Sequence, residues 1–353
     1  MKTFGYAAKS STSPLAPFQF ERREVGPQDV QIEILYCGIC HSDLHIVRND
    51  WNMTVYPVVP GHEIVGKVVK LGDKVQKFKL NDLVAVGCMV NSCGNCSACK
   101  MHEEQYCEKG FTLTYNSPDN KTGQMTYGGY SNQIVVTQNF VLSVPPSLEI
   151  SAVAPLLCAG ITTYSPLMHW KINKKSKVGI VGLGGLGHMA VKLARALGAH
   201  VTMITSSVNK EKDAKRLGAN DVILSTNKAL MNKYTKQFDL IIDTVPVKHN
   251  VNPYIKLLKH DGVLVNVGVI DVLEPPIDNR ELVFSRRSIA GSLIGGIQET
   301  QEMLEFCAKH QVLPDVEIIP IQKVNEAYER LLKNDVKYRF VIDMSSLKET
   351  QAS

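Results

Sequence analysis

Gly182-Leu183-Gly184-Gly185-Leu186-Gly187 joins an apolar run at 178–181 to an amphipathic stretch at 186–197. The run is short and bounded like a buried strand, and the stretch has a helical period. In that setting a G-x-G-x-x-G turn does three things. Gly182 permits the tight turn, Gly184 lets the backbone approach a pyrophosphate, and Gly187 lets helix and strand pack closely. The helix N-terminus offers free N–H groups and a partial positive charge to phosphates. The alternative is a tight strand-to-helix turn with no ligand. Around it the chain alternates strands (201–204, 221–224, 240–243, 263–267) with helices (209–217, 253–258). Such alternation builds a parallel sheet through right-handed crossovers, an α/β fold.

The next strand selects the dinucleotide. An NAD site has a carboxylate about 20 residues beyond the turn to accept from the ribose 2′-OH. Here the strand runs into Thr205-Ser206-Ser207, with Lys210 beyond and no acid among them. Three hydroxyls and an ammonium suit a 2′-phosphate, which points to NADP(H). The alternative is that the serines cap the following helix and that Lys210 is a solvated charge.

The 353 residues include nine cysteines, at 37, 40, 88, 93, 96, 99, 107, 158 and 307. An odd count argues for metal or reactive thiols over a disulfide framework. Cys93-x2-Cys96-x2-Cys99-x7-Cys107 gives four thiolates that can close a tetrahedron around zinc, which is a structural site. Its formal charge of −2 calls for N–H groups around the sulfurs, from Gly94 and its neighbours. An iron–sulfur cluster or free thiols are the alternatives.

The length corresponds to about two domains. The first ~150 residues read as β-rich, with strands at 30–36, 64–71, 84–86 and 133–136 and long loops at 91–110 and 116–129. The chain closes with a helix at 298–310, a strand at 316–319, a helix at 324–333 and a strand at 339–342, and the last ten residues read as frayed. Lys+Arg outnumber Asp+Glu by 39 to 34 without a basic run, so nucleic acid is not implied. No apolar stretch reaches the ~20 residues of a spanning helix, and the N-terminus lacks a signal-peptide core. The expected location is the cytoplasm, with no membrane partner.

Three further segments carry metal-ligand side chains: Cys40-His41-Ser42-Asp43-Leu44-His45, Gly61-His62-Glu63 and Cys158-Ala159-Gly160. Cys40, His62 and Cys158 would be two thiolates and an imidazole with a fourth position open, the pattern of a catalytic zinc. Spacing alone does not select them. Taken singly, Cys158 reads as a small core residue, His62 as a satisfied core histidine and Cys40 as a turn thiol.

Gly61-His62-Glu63, the cysteine cluster, Tyr127-Gly128-Gly129-Tyr130-Ser131, Pro155-Leu156-Leu157-Cys158-Ala159-Gly160 and the glycine turn occur together in one order and spacing. In this the chain resembles zinc-dependent medium-chain alcohol dehydrogenases, most closely the cinnamyl alcohol dehydrogenase branch, over about 5–343. The resemblance implies a GroES-like catalytic domain, 1–157 and 296–353, with a Rossmann domain inserted at 158–295. It implies two zinc ions per chain, a homodimer, and NADP(H)-linked interconversion of aldehydes and alcohols, cinnamyl-type or aliphatic.

It assigns Cys40, His62 and Cys158 to the catalytic zinc, with Glu63 able to approach the ion, and Cys93, Cys96, Cys99 and Cys107 to the structural one. Asp43 would orient His62, with Arg339 as a counter-charge. Ser42 and His45 would relay the alcohol proton to solvent. The cofactor set is Gly182, Leu183, Gly184, Gly185, Leu186 and Gly187 with Thr205, Ser206, Ser207, Lys210 and Thr162. Trp51, Met53, Leu293 and Ile294 are candidates for an apolar substrate wall, with a core role as the alternative. Rival readings are an NAD-linked short-alcohol or polyol dehydrogenase of the same superfamily and a zinc-stabilised binding protein without catalysis.

Overall fold

A computed structural model describes residues 1–268 and 272–347. The chain divides into two compact units, Met1–Cys158 with Gly295–Ser353, and Ala159–Ile294. Each junction lies one residue from the expected cut. Cys158 stays with the first unit, where its sulfur meets that of Cys40. Gly295 stays there too, since Gly296 beside it packs on the backbone of His102.

The sheet of the first unit runs in the order Val316–Pro320, Arg339–Asp343, Asp29–Ile39, Ile64–Leu71, Leu83–Val86 and Leu142–Ser143, and Gln133–Thr137 also pairs with Asp29–Ile39. Alternation sets the buried face of the long strand: Val30, Ile32 and Ile34 are buried, while Gln31 and Glu33 are not. The C-terminal strand lies antiparallel to it, with Phe340 opposite Ile39 and Ile342 opposite Cys37. Val324, Ala327, Tyr328 and Leu331 form the buried stripe of the helix Val324–Leu332, the i, i+3, i+4, i+7 pattern of an amphipathic helix.

The second unit holds six parallel strands in the order Asp221–Leu224, His200–Thr205, Lys177–Val181, Phe238–Asp243, Leu258–Asn266 and Ser288–Gly291. The order reverses between Lys177–Val181 and Phe238–Asp243. Among the described residues no single helix is long and apolar enough to cross a membrane.

Two local expectations change and one element is added. The helix expected at 253–258 is only Asn252–Ile255, because Leu258 already pairs with Phe238 as the first residue of a strand. The segment after Asp29–Ile39 is a helix, His41–Arg48, closed at its start by the Asp43 carboxylate accepting from the Cys40 N–H at 2.8 Å. Of the last ten residues, Met344–Leu347 form a turn in which Ser346 Oγ accepts from the Ile321 N–H at 2.9 Å. The other six lie outside the described residues.

Candidate active site

The ends of three local structures meet in the first unit. Cys40 caps the helix His41–Arg48, His62 follows Gly61, and Cys158 ends the turn Ala154–Leu157. Gly61 has φ 106°, a left-handed conformation that a side chain resists, and a Cβ there would lie 2.8 Å from Cys37 Sγ. Ligand atoms of Cys40, His62, Glu63 and Cys158 all lie within 4.8 Å of one another, and all four residues are buried.

The two sulfurs are 3.9 Å apart. Sulfurs each ~2.3 Å from a tetrahedral zinc would be ~3.8 Å apart, so this pair has the right span. Their titrations are linked. The Cys158 thiol holds Cys40 well below the ordinary thiol range, and Cys40 in turn holds Cys158 well above it.

Asp43 organises the imidazole. Its Oδ1 lies 3.0 Å from His62 Nδ1 and accepts from the Gly61 N–H at 3.1 Å, leaving Nε2 as the nitrogen to ligate. The expected Arg339–Asp43 pairing is corrected here. Arg339 Nη2 donates to Oε1 of Glu63, because strand pairing beside Ile39 delivers the guanidinium to that carboxylate. Burial pushes the Glu63 carboxyl up to about 7, with the Arg339 guanidinium in direct contact opposing that rise. Glu63 Oε2 is buried without a hydrogen-bond partner. Two thiolates, an imidazole and an orphaned carboxylate oxygen suit a divalent zinc.

Ser42 and His45 share one helix at i, i+3 spacing, hence one face. Ser42 is half-buried in the first turn. His45 Nδ1 lies 2.8 Å from Asp50 Oδ2 and its ring lies 5.2 Å from that of Trp51. Trp51 and Met53 are 36% and 48% exposed, so neither is a core residue. Cys88, given no role from sequence, donates to the Leu157 carbonyl at 3.6 Å, next to Cys158.

The four-cysteine cluster also closes: Cys93 and Cys99 sulfurs are 3.9 Å apart, Cys96 and Cys107 4.0 Å, and all four lie within 4.8 Å. The N–H groups of Asn95 and Cys96 lower Cys93 to about 6, while burial raises Cys99 to about 11 in spite of Gly94 N–H and Ser92 Oγ. Sequence reasoning missed Ser92, whose hydroxyl lies 3.3 Å from Cys99 Sγ. This donor set also fits zinc.

In the second unit the glycines behave as their positions demand. Gly182 has φ 87°, and a Cβ on Gly187 would fall 1.9 Å from the Gly182 carbonyl oxygen. A Cβ on Gly184 would meet nothing within 4 Å, which leaves that side of the backbone open to a ligand. Gly187 opens the helix Gly187–Ala196, and Leu183, Gly185 and Leu186 complete the turn. Thr205 Oγ1 accepts from the Ser207 N–H at 3.2 Å, Ser206 is exposed, and the Ser207 side chain makes no helix cap. Lys210 Nζ donates to the Leu183 carbonyl at 2.8 Å, and its burial lowers its pKa. The ammonium therefore joins the two parts of the expected cofactor set. Thr162 is buried on the helix Ala159–His169, which packs on Gly187–Ala196. Leu293, 43% exposed, and Ile294 end this unit.

The chain matches known proteins over nearly its whole length. Residues 26–146 match the alcohol dehydrogenase GroES-like domain and 185–309 the zinc-binding dehydrogenase domain. The aldehyde reductase YahK of Escherichia coli (strain K12) is 53% identical, with 99% of this chain and 100% of that one covered. A cinnamyl alcohol dehydrogenase of Sorghum bicolor superposes with TM-score 0.94 at 44% identity, covering 98% of each chain. A Helicobacter pylori cinnamyl alcohol dehydrogenase complexed with NADP(H) gives TM-score 0.91 at 42% identity, over 98% of this chain and 99% of that one. The fold is thus a GroES-like domain with a Rossmann-type parallel sheet. The chain belongs to the zinc-binding medium-chain alcohol dehydrogenases, in the cinnamyl alcohol dehydrogenase-like branch. It is an enzyme of alcohol and aldehyde oxidoreduction.

Proposed function

We propose that this enzyme interconverts aldehydes, cinnamyl-type or aliphatic, and their alcohols with NADP(H), using a zinc held by Cys40, His62 and Cys158. The observation that carries this reading is the gathering of those three buried donors within ligating range of one another. The bound groups supply Lewis-acid polarisation of a carbonyl oxygen and a hydride for its carbon.

The chain's own residues do the rest. Asp43 fixes the tautomer and tilt of His62. The Arg339–Glu63 pair keeps a carboxylate beside the thiolates without adding net charge. In the reductive direction Ser42 Oγ is the proton donor to the oxygen that becomes the alcohol, and His45, on the same helix face, restores that proton from solvent. His45 Nδ1 is engaged by Asp50, so Nε2 exchanges with water.

NADP(H) is favoured by Thr205, Ser206, Ser207 and Lys210, which hold no carboxylate to repel a 2′-phosphate. The Helicobacter relative is described with the same dinucleotide. The structural zinc belongs to Cys93, Cys96, Cys99 and Cys107, and the assembly is a homodimer. An aldehyde panel run with NADPH and NADH, with metal measured on the same sample, tests this reading. The expected result is NADPH preference with ~2 zinc ions per chain. NADH preference with polyols, or a single ion and no turnover, would reject it.

A further inference from the structure

The strand Phe238–Asp243 ends in a fully buried carboxylate. Both its oxygens are held by the segment that follows. The Val245 N–H donates to Oδ1 at 3.1 Å, and His249 Nε2 lies 2.7 Å from Oδ2. His249 Nδ1 lies 2.7 Å from the Val247 carbonyl oxygen. A carbonyl and an ionised carboxylate only accept, so a ring bonded at both nitrogens is the doubly protonated imidazolium. The hydrogen bond to Asp243 outweighs burial and moves His249 above the ordinary histidine range.

This pair ties 243–249 into a closed loop against the glycine turn. Thr244 Oγ1 donates to the Val181 carbonyl at 2.8 Å, and a Cβ on Gly182 would meet Thr244 Oγ1 and Val245 Cγ2 at 3.0 Å. A Cβ on Gly268 would meet the Val245 carbonyl oxygen at 3.2 Å. The loop therefore stands at the carboxyl ends of the two strands between which the strand order reverses, where open α/β sheets take their ligands. Among the described residues, the titratable groups against the His249 ring are Asp243 and Tyr254, the latter with ring centroids 6.1 Å away. The adjacent Lys248 is paired with Glu274.

We propose that His249 is a positioning residue for the dinucleotide: paired with Asp243 it holds residues 244–247 against the glycine turn, and loss of its proton slackens that wall and weakens cofactor binding. This rests on the NADP(H) reading above and adds a pH dependence to it. Binding is tightest while the ring is protonated and falls as pH rises through its elevated pKa.

The test is the dissociation constant of NADPH, read from its fluorescence between about pH 6.5 and about pH 9.5. Adenosine 2′-monophosphate, which lacks the pyrophosphate that meets the glycine turn, is measured in parallel. NADPH binding weakens about tenfold across the range, whereas the monophosphate, which also reports Lys210, does not follow that break. His249→Gln binds NADPH weakly at every pH, shows no break, and binds the monophosphate as the wild type does. If that variant does not fold, the two wild-type titrations still give the answer. A wild-type NADPH curve without a break, or one matched by the monophosphate or by His249→Gln, overturns the inference and leaves the cofactor reading intact. No NADPH binding at any pH removes both.

Discussion

Arg339, on the C-terminal strand, donates to Glu63 Oε1 across 276 residues of chain, with both side chains almost wholly buried. Removing one member leaves the other charge stranded in the core. Arg339→Met is expected to destabilise the fold by about 3–5 kcal/mol. Adding Glu63→Gln to it recovers much of the loss. Urea melts of the two single variants and the double variant form the cycle, and strict additivity would show that the pair does not couple.

The sulfurs of the four-cysteine lobe lie at tetrahedral spacing. Cys99→Ser should lower the metal content by about one ion per chain and lower the melting temperature. Unchanged zinc by elemental analysis would mean that the lobe is held by something else.

Those two sites were not equally legible. The glycine turn and the cysteine lobe are local: every residue that matters lies within fifteen positions, so spacing implies proximity. Cys40 and Cys158 are 118 residues apart and meet only because separate turns end at one place, which a resemblance can suggest and periodicity cannot. The order of residues does not say which acid the returning Arg339 strand will face, so Asp43 and Glu63 are equally open to it until the fold is seen. Asp43 needs no guanidinium, since backbone N–H groups and His62 already surround it. The Asp243–His249 pair left no signal beyond an acid closing an apolar run.

Ser42→Ala is expected to lower kcat by about 10²-fold while NADPH affinity stays unchanged. His45→Gln should cost less, because water can take over the outer proton transfer. Steady-state kinetics with a cofactor titration separate the two effects. Full turnover in Ser42→Ala would take the hydroxyl out of the relay.

Asp29 is fully buried. Its burial works against the charge, yet Arg23 and Lys121, the latter at 2.7 Å, hold its carboxyl below the ordinary range. The folded pKa is depressed, so this contribution is complete above the unfolded value of ~3.9. It disappears as pH falls through the folded value. Asp29→Asn should melt earlier than the wild type at neutral pH and lose part of the acid-side dependence. Parallel melting curves of the two proteins down to about pH 3 would contradict this.

The strand Arg339–Asp343 is laid beside Asp29–Ile39 by pairing between the two ends of the chain. A ribosome therefore releases every sulfur of both metal centres before it releases the guanidinium that neutralises Glu63. A nascent or prematurely terminated polypeptide carries its ligands beside an unmatched acid. Only when that last strand pairs does the carboxylate beside the thiolates meet its counter-charge.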